Sequence, residues 1–304
     1  MVTLAQRAPS RTVGNRDSVG YRVFTVVNTG LLILVCLAML YPFITVLAQS
    51  FSSSGAIKAG QVSFWPVDFN VDTYTAVIGN GMFWRNYGNT VLYTVVGTAI
   101  AMALTTSYAY VLSKHHLRGR RLLIGIAVFT MFFNGGLVPN YVLISSLGMK
   151  NTMWAIVLPG AISVFNLLVM KSFFENLPHE LEEAAQIDGL GWFGIFTRIV
   201  LPLSKAVIAT MILFYSVAFW NDWFSAFLYL DKNELFPVTL FLRNLIAGAS
   251  TTASESAAVG STAADLNANI QSVTMILTVI PILCVYPFVQ RYFVSGVMLG
   301  SVKG

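Results

Sequence analysis

The spacing of its charges constrains this chain more than any other feature. No Asp, Glu, Lys or Arg occurs from 23 to 57, 86 to 113, 122 to 149, 151 to 170 or 266 to 290, and the stretch from 206 to 230 holds a single one, Asp222. A helix needs about 20 apolar residues to cross the hydrocarbon core of a bilayer, and each stretch reaches that length. The spacing therefore predicts an all-α integral membrane protein with six transmembrane helices, over roughly 23–48, 87–113, 122–146, 152–171, 206–230 and 269–290. Burying six such runs inside a water-soluble protein would demand a polar coat. With 10% charged residues and a mean hydropathy of +0.71, 304 residues do not supply one.

Basic residues near span ends are retained on the cytoplasmic side. The amino-terminal tail carries Arg7, Arg11, Arg16 and Arg22, and the second-to-third connection carries Lys114, Arg118, Arg120 and Arg121. The fourth-to-fifth connection adds Lys171, Arg198 and Lys205, and the carboxy-terminal tail adds Arg291 and Lys303, whereas the opposite side keeps Lys58, Arg85, Lys150, Lys232 and Arg243. Both termini are thus expected in the cytoplasm. The net charge of +5 reflects this topology, not nucleic-acid binding. The first apolar segment exceeds the core of a secretory signal and reads as a retained span. Cys36 and Cys284 fall inside spans, where packing is their expected role, with neither a zinc pattern nor a structural disulfide. His115, His116 and His179 fall in cytoplasmic loops without companions at ligand spacing, so no metal site is expected.

The most informative cytoplasmic segment is 176–202, NLPHELEEAAQIDGLGWFGIFTRIVLP, between spans four and five. It suits a helix, a turn and a second helix. Asn176 can cap, Pro178 suits a first turn, and Glu180, Glu182 and Glu183 favour the positive end of the helix dipole. Leu177, Leu181, Ala184, Ala185 and Asp188 recur at spacings of three or four, which predicts a stripe of small, mostly apolar residues. Gly189 and Gly191 then end the helix, and a second apolar run stops at Leu201-Pro202. Such a face in the cytosol needs cover, either from a partner subunit or from the chain's own loops.

Glu183, Ala184, Ala185, Gly189, Ile199, Leu201 and Pro202 match every position of the pattern E-A-A-x3-G-x9-I-x-L-P. That pattern resembles the EAA loop of binding-protein-dependent ABC import permeases. The resemblance implies that the hairpin, with Asp188 beside its turn, is the coupling helix seated in a cleft of a separate ATP-binding subunit. Three further segments resemble the MalG-type permeases of carbohydrate uptake family 1: Trp220-Asn221-Asp222-Trp223 in span five, Asn134-Gly135-Gly136-Leu137-Val138-Pro139 in span three, and the tail Gly300-Ser301-Val302-Lys303-Gly304. The glycine-rich element is similar to the LplC/YtcP branch, associated with complex oligosaccharides. The resemblance implies a MetI-like, type I importer permease domain over 22–304, preceded by a cytoplasmic tail over 1–21. It also implies that Ser301, Val302, Lys303 and Gly304 reach between two ATP-binding subunits. Partners would be a second permease, an ATP-binding subunit dimer holding ATP and magnesium, and an extracytoplasmic sugar-binding protein, all at the cytoplasmic membrane of a bacterium. The cargo would be a sugar or oligosaccharide.

Independently of family, Asp222 is the sole carboxylate within a predicted span. An aspartate at mid-membrane costs on the order of 3 kcal/mol, so it should face a cavity or a polar partner such as Asn221. Flanked by Trp220 and Trp223, it offers hydroxyl acceptors and flat rings suited to a sugar. The same tryptophans also suit an aromatic belt at the outer interface. Asn134, Gly135, Gly136 and Pro139 should bend or break span three, either bordering a cavity with Asn140 and Tyr141 or allowing close helix packing. The 231–269 connection contains the low-complexity run GASTTASESAAVGSTAAD, expected to be mobile. No G-x4-G-K-[ST] loop occurs, so ATP hydrolysis is expected in trans, and no catalytic constellation points to an enzyme. A proton- or sodium-coupled carrier usually needs several intramembrane ionisable groups, and one aspartate is few.

Overall fold

The computed structural model describes residues 19–256 and 269–301, with side chains over 19–248, 269–284 and at Pro287. It is helical throughout, with no strand among the described residues. The chain runs through α1 (Val19–Ser50), the short α2 (Ser54–Lys58) and α3 (Asp72–Ile78), then the long α4 (Gly81–Ser113). Next come α5 (Arg120–Phe132), α6 (Leu137–Ser146), α7 (Trp154–Val157) and α8 (Val164–Glu175). The hairpin that follows comprises α9 (His179–Ile187), α10 (Trp192–Ile195), a π-helical turn (Phe196–Val200) and α11 (Leu201–Leu203). The rest is α12 (Lys205–Trp220), α13 (Phe224–Tyr229), a 3-10 turn (Asn233–Leu235), α14 (Val238–Ser256) and α15 (Ile270–Ser301).

Local chemistry explains the starts. Asn80 Oδ1 accepts from the Met82 N–H at 2.9 Å and opens α4, while Ser53 and Ser163 cap α2 and α8. The main core lies where α4 packs along α8 and α12, with Ala101, Leu112, Leu167, Met170, Met211 and Phe219 buried together. Close approach there depends on a glycine. A Cβ at Gly97 would lie 2.9 Å from the Phe219 ring, whereas one at Gly160 would make ordinary contact with its edge at 3.4 Å.

α1 and α4 are each long and apolar enough to cross a bilayer. Two further pairs qualify only if each bent pair is one span: α5 with α6, bent by 112°, and Trp192–Leu203 with α12, bent by 83°. Three expected spans are interrupted, the first of them at the Asn134–Gly136 segment where a bend or break was expected. In 122–146 the helix stops at Phe132 and restarts at Leu137, where Gly136 takes φ 94° and Asn134 Oδ1 accepts from the Gly136 N–H at 3.0 Å. In 152–171 the interruption falls at Leu158-Pro159-Gly160, since proline lacks the N–H that would continue α7. In 206–230 it falls at Asn221–Trp223, where the backbone leaves α12 and Asp222 Oδ1 accepts from the Ser225 N–H to start α13. Such breaks escape a reading based on hydropathy because the flanking residues stay apolar on both sides.

Other expectations also need revision. Cys36 and Cys284 are free, as expected, but both lie on the chain's own surface instead of in its packing, because α1 touches little beyond α15. The low-complexity connection is helical as far as Ser256, its Ala, Ser and Thr run carrying no proline to stop α14. Its remainder to residue 268, and Val302, Lys303 and Gly304, lie outside the described residues.

Candidate coupling hairpin and membrane cavity

The hairpin is held by one face. α9 starts at His179 after Pro178, with Glu180 and Glu182 in its first turn; Asn176 instead ends α8, donating from Nδ2 to the Ser172 carbonyl at 2.7 Å. Glu182 turns inward and pairs with Lys114 at 2.5 Å, and the Lys114 ammonium lies 4.2 Å from the Tyr110 ring centre. Ala185 is buried in the main core with Ile195 and Val200. Tyr110 donates to the Trp192 carbonyl at 3.4 Å and packs on Phe196, so the end of α4 holds the second arm as well.

A second ionic anchor lies at the base of α8, where Glu175 pairs with Lys171 at 2.7 Å and with Arg120. Burial pushes the Glu175 carboxyl up, but the Lys171 hydrogen bond and charge, joined by Arg120 and His115, outweigh it and hold the group below its ordinary value. Folding also brings the His115 and His179 rings to 6.4 Å from each other, a proximity the sequence spacing does not reveal.

The opposite face is open. Glu183, Ala184 and Asp188 are exposed, and Ile187 and Phe193 are 86% and 79% exposed. The expected stripe is thus split: Ala185 packs inward while Ala184 and Leu181 face out, because adjacent helical residues sit about 100° apart. Gly189 sits at φ 82°, its N–H donating to the Gln186 carbonyl while the Leu190 N–H donates to Ala185. This is a Schellman turn, and a side chain there would be strained although no atom lies within 4 Å of its Cβ position. Ile199 and Leu201 are half-buried and Pro202 is exposed, at the elbow that leads into α12. Ser204 at that elbow is fully buried, and its hydroxyl has no partner among the described residues.

At the far end of α12, Asn221 and Asp222 line an open cavity of about 650 Å³. Ser163 and Asn166 from the start of α8, Tyr215 from α12 and Ser225 from α13 complete its polar lining, with Phe214 and Phe219 as its aromatic walls. Tyr215 is tied in place, sharing a 2.7 Å hydrogen bond with Thr105 and accepting from the Ser163 N–H at 3.0 Å.

The other path candidates separate from it. Trp220 is buried, donates to the Thr278 carbonyl at 3.2 Å and meets Tyr87 edge to face, lining an apolar groove of about 310 Å³ between α4, α12 and α15. Trp223 carries the Arg243 guanidinium 4.0 Å over its ring. Asn134 and Asn140 approach each other at 3.4 Å across the break in span three, both exposed. Tyr141 accepts from Lys150 at 2.8 Å and stacks on Tyr229. None of these lines the cavity of Asp222. Asn166 and Ser163 are members that charge spacing does not find; the available signal is an amide in the otherwise apolar run from Val164 to Met170.

A model of the family described as "Binding-protein-dependent transport system inner membrane component" matches residues 81–298. The chain is 41% identical over 283 residues to Protein LplC of Bacillus subtilis (strain 168), covering 93% of this chain and 96% of that one. It is 38% identical over 283 residues to the polygalacturonan/rhamnogalacturonan transport system permease protein YtcP of the same organism, covering 93% and 99%. Among solved structures, a chain of a bacterial ABC transporter involved in the import of the acidic polysaccharide alginate superposes with a TM-score of 0.82 at 33% identity. That match covers 91% of this chain and 98% of that chain.

Proposed function

Because this chain belongs to the family of binding-protein-dependent transport system inner membrane components, we propose that it is one permease subunit of an ATP-driven importer of a sugar or oligosaccharide. In this reading it crosses the bacterial cytoplasmic membrane six times with both termini inside. A second permease stands beside it, two ATP-binding subunits holding ATP and magnesium lie beneath, and an extracytoplasmic binding protein delivers the saccharide. Relatives named for polygalacturonan and rhamnogalacturonan transport and for alginate import support a carbohydrate cargo.

The observation that carries this reading is the one-sided anchoring of the 176–202 hairpin. Its inner face is fixed to the chain's own α4 through Glu182 and Ala185, while Glu183, Ala184, Ile187 and Phe193 stay uncovered. Exposed apolar area of that kind in the cytosol calls for a partner surface. In our reading the partner is a cleft of the ATP-binding subunit, with Glu183 as a polar anchor. Closure of the ATP-binding dimer moves the hairpin, and the cavity around Asp222 forms one wall of the saccharide path, Asn221, Asp222, Ser163 and Asn166 meeting hydroxyl groups.

Cysteine cross-linking in native membranes tests it. Ala184→Cys should form an adduct with an ATP-binding polypeptide whose yield changes when ATP is added. Glu183→Lys should leave membrane insertion intact and uncouple ATP hydrolysis from uptake. An Ala184 adduct confined to this chain's own loops would remove the basis of the reading.

A further inference from the structure

We infer that the membrane cavity selects uncharged saccharides over uronates, and that Asp222 is the residue that sets this preference. The inference rests on the reading of that cavity as part of the saccharide path. Among the described residues the lining contains one carboxylate, Asp222, and no Lys, Arg or His. Its remaining polar members, Ser163, Asn166, Tyr215, Asn221 and Ser225, are neutral hydroxyls and amides.

A uronate brings a fixed negative charge on every acidic ring. Carboxylate recognition in a poorly solvated site relies on cations, above all the bidentate fork of arginine. Three cations in the surrounding elements are engaged elsewhere. Arg243 lies over the Trp223 ring, Lys150 pairs with Asp231 and donates to Tyr141, and Lys171 pairs with Glu175. Among the described residues no cation pairs with Asp222, whose Oδ1 accepts from the Ser225 N–H at 3.0 Å. A second carboxylate brought into this cavity meets like charge and no described cation to offset it. A neutral sugar meets the opposite situation, because a carboxylate is a strong acceptor for hydroxyls and the amides of Asn166 and Asn221 both donate and accept. Phe214 and Phe219 provide apolar surface for the ring faces. Alginate, named for the structural relative, and polygalacturonan, named for the 38% identical YtcP, are both built of uronates, so this lining places the present chain's cargo in a different charge class from theirs.

The test compares two probes of equal length and linkage, α-1,4-linked galactotriose and α-1,4-linked trigalacturonate. Equilibrium binding of each is measured to the complete permease and ATP-binding complex in lipid nanodiscs, without binding protein, held by magnesium and a non-hydrolysable ATP analogue. Galactotriose should bind at least about tenfold more tightly than trigalacturonate. Asp222→Asn, which keeps an acceptor for the Ser225 N–H, should bring the two within about threefold, and Asp222→Lys should reverse the order. Equal or tighter binding of trigalacturonate to the unaltered complex overturns the inference and leaves the saccharide path standing. So does a wild-type preference that Asp222→Asn fails to change. Failure of both probes to bind overturns the inference together with the cavity's assignment to the saccharide path.

Discussion

At the scale of single residues, the core depends on the fit around Phe219. Its ring occupies space that exists because position 97 lacks a Cβ. Gly97→Ala puts a methyl 2.9–3.0 Å from three ring atoms and forces the ring to move. Overpacking of this kind costs about 1–3 kcal/mol, and it should appear as a lower unfolding temperature of the purified complex. Gly88→Ala on the same helix meets nothing within 4 Å and is the control; it should be neutral or stabilising. Equal stability of the two variants would contradict this account of the core. Charge-bearing residues such as Asp222 stand out in so apolar a sequence, which narrowed its surroundings to a cavity or a polar partner; the packing of α8, α12 and α13 supplies the cavity. Asn166 was not legible, because a neutral amide in an apolar run carries no mark of which face it occupies until α8 and α12 are packed.

At the scale of elements, the 176–202 hairpin was readable from Pro178, the acidic first-turn residues Glu180 and Glu182, and Gly189, whereas the cap expected at Asn176 belongs to the end of α8. The inward turn of Glu182 was not readable, since its partner Lys114 is 68 residues away in sequence. The three interrupted spans divide the same way. Asn134 and Gly136 announce the break in 122–146 through local backbone chemistry, whereas the 112° bend that follows depends on the packing of both halves. The ionic base of the hairpin makes a pH prediction. Glu175 holds its proton less readily in the folded chain than in the unfolded one, so its contribution is complete above about pH 4.5 and is lost as the pH falls further through the depressed folded value. Amide protection across 176–202, measured relative to the intrinsic exchange rate at each pH, should therefore fall in that acid window. Glu175→Gln should show lower protection already at neutral pH and little further loss in acid; an unchanged acid response in this variant would assign the effect to other groups.

At the scale of the molecule, α1 is the element most dependent on its surroundings. Its 18-residue apolar window has a mean hydropathy of 2.6 and is only 6% buried within the chain. Water cannot cover such a surface, so hydrocarbon or a second membrane subunit must. Cys36, midway along it, is exposed on the chain. In a Cys284→Ala background, Cys36 should resist a charged maleimide in intact vesicles and react once the membrane is dissolved in SDS. Rapid labelling in intact vesicles would place α1 in water and refute the six-span arrangement. The number of apolar stretches was plain in the spacing of charges. Their paths were not, because bending through 83° or 112° changes direction without changing composition.

The elbow at Ser204 has a mechanical consequence. α12 leaves it as an unbroken helix of 16 residues, about 24 Å long, and ends where Asn221 and Asp222 enter the cavity wall. In the proposed importer it is a connecting rod with the hairpin as its crank. A tilt of ~10° imposed at the crank sweeps the far end through about 4 Å, more than the length of a hydrogen bond. On that proposal the grip on cargo can be released from the opposite side of the membrane without any change in the gripping side chains.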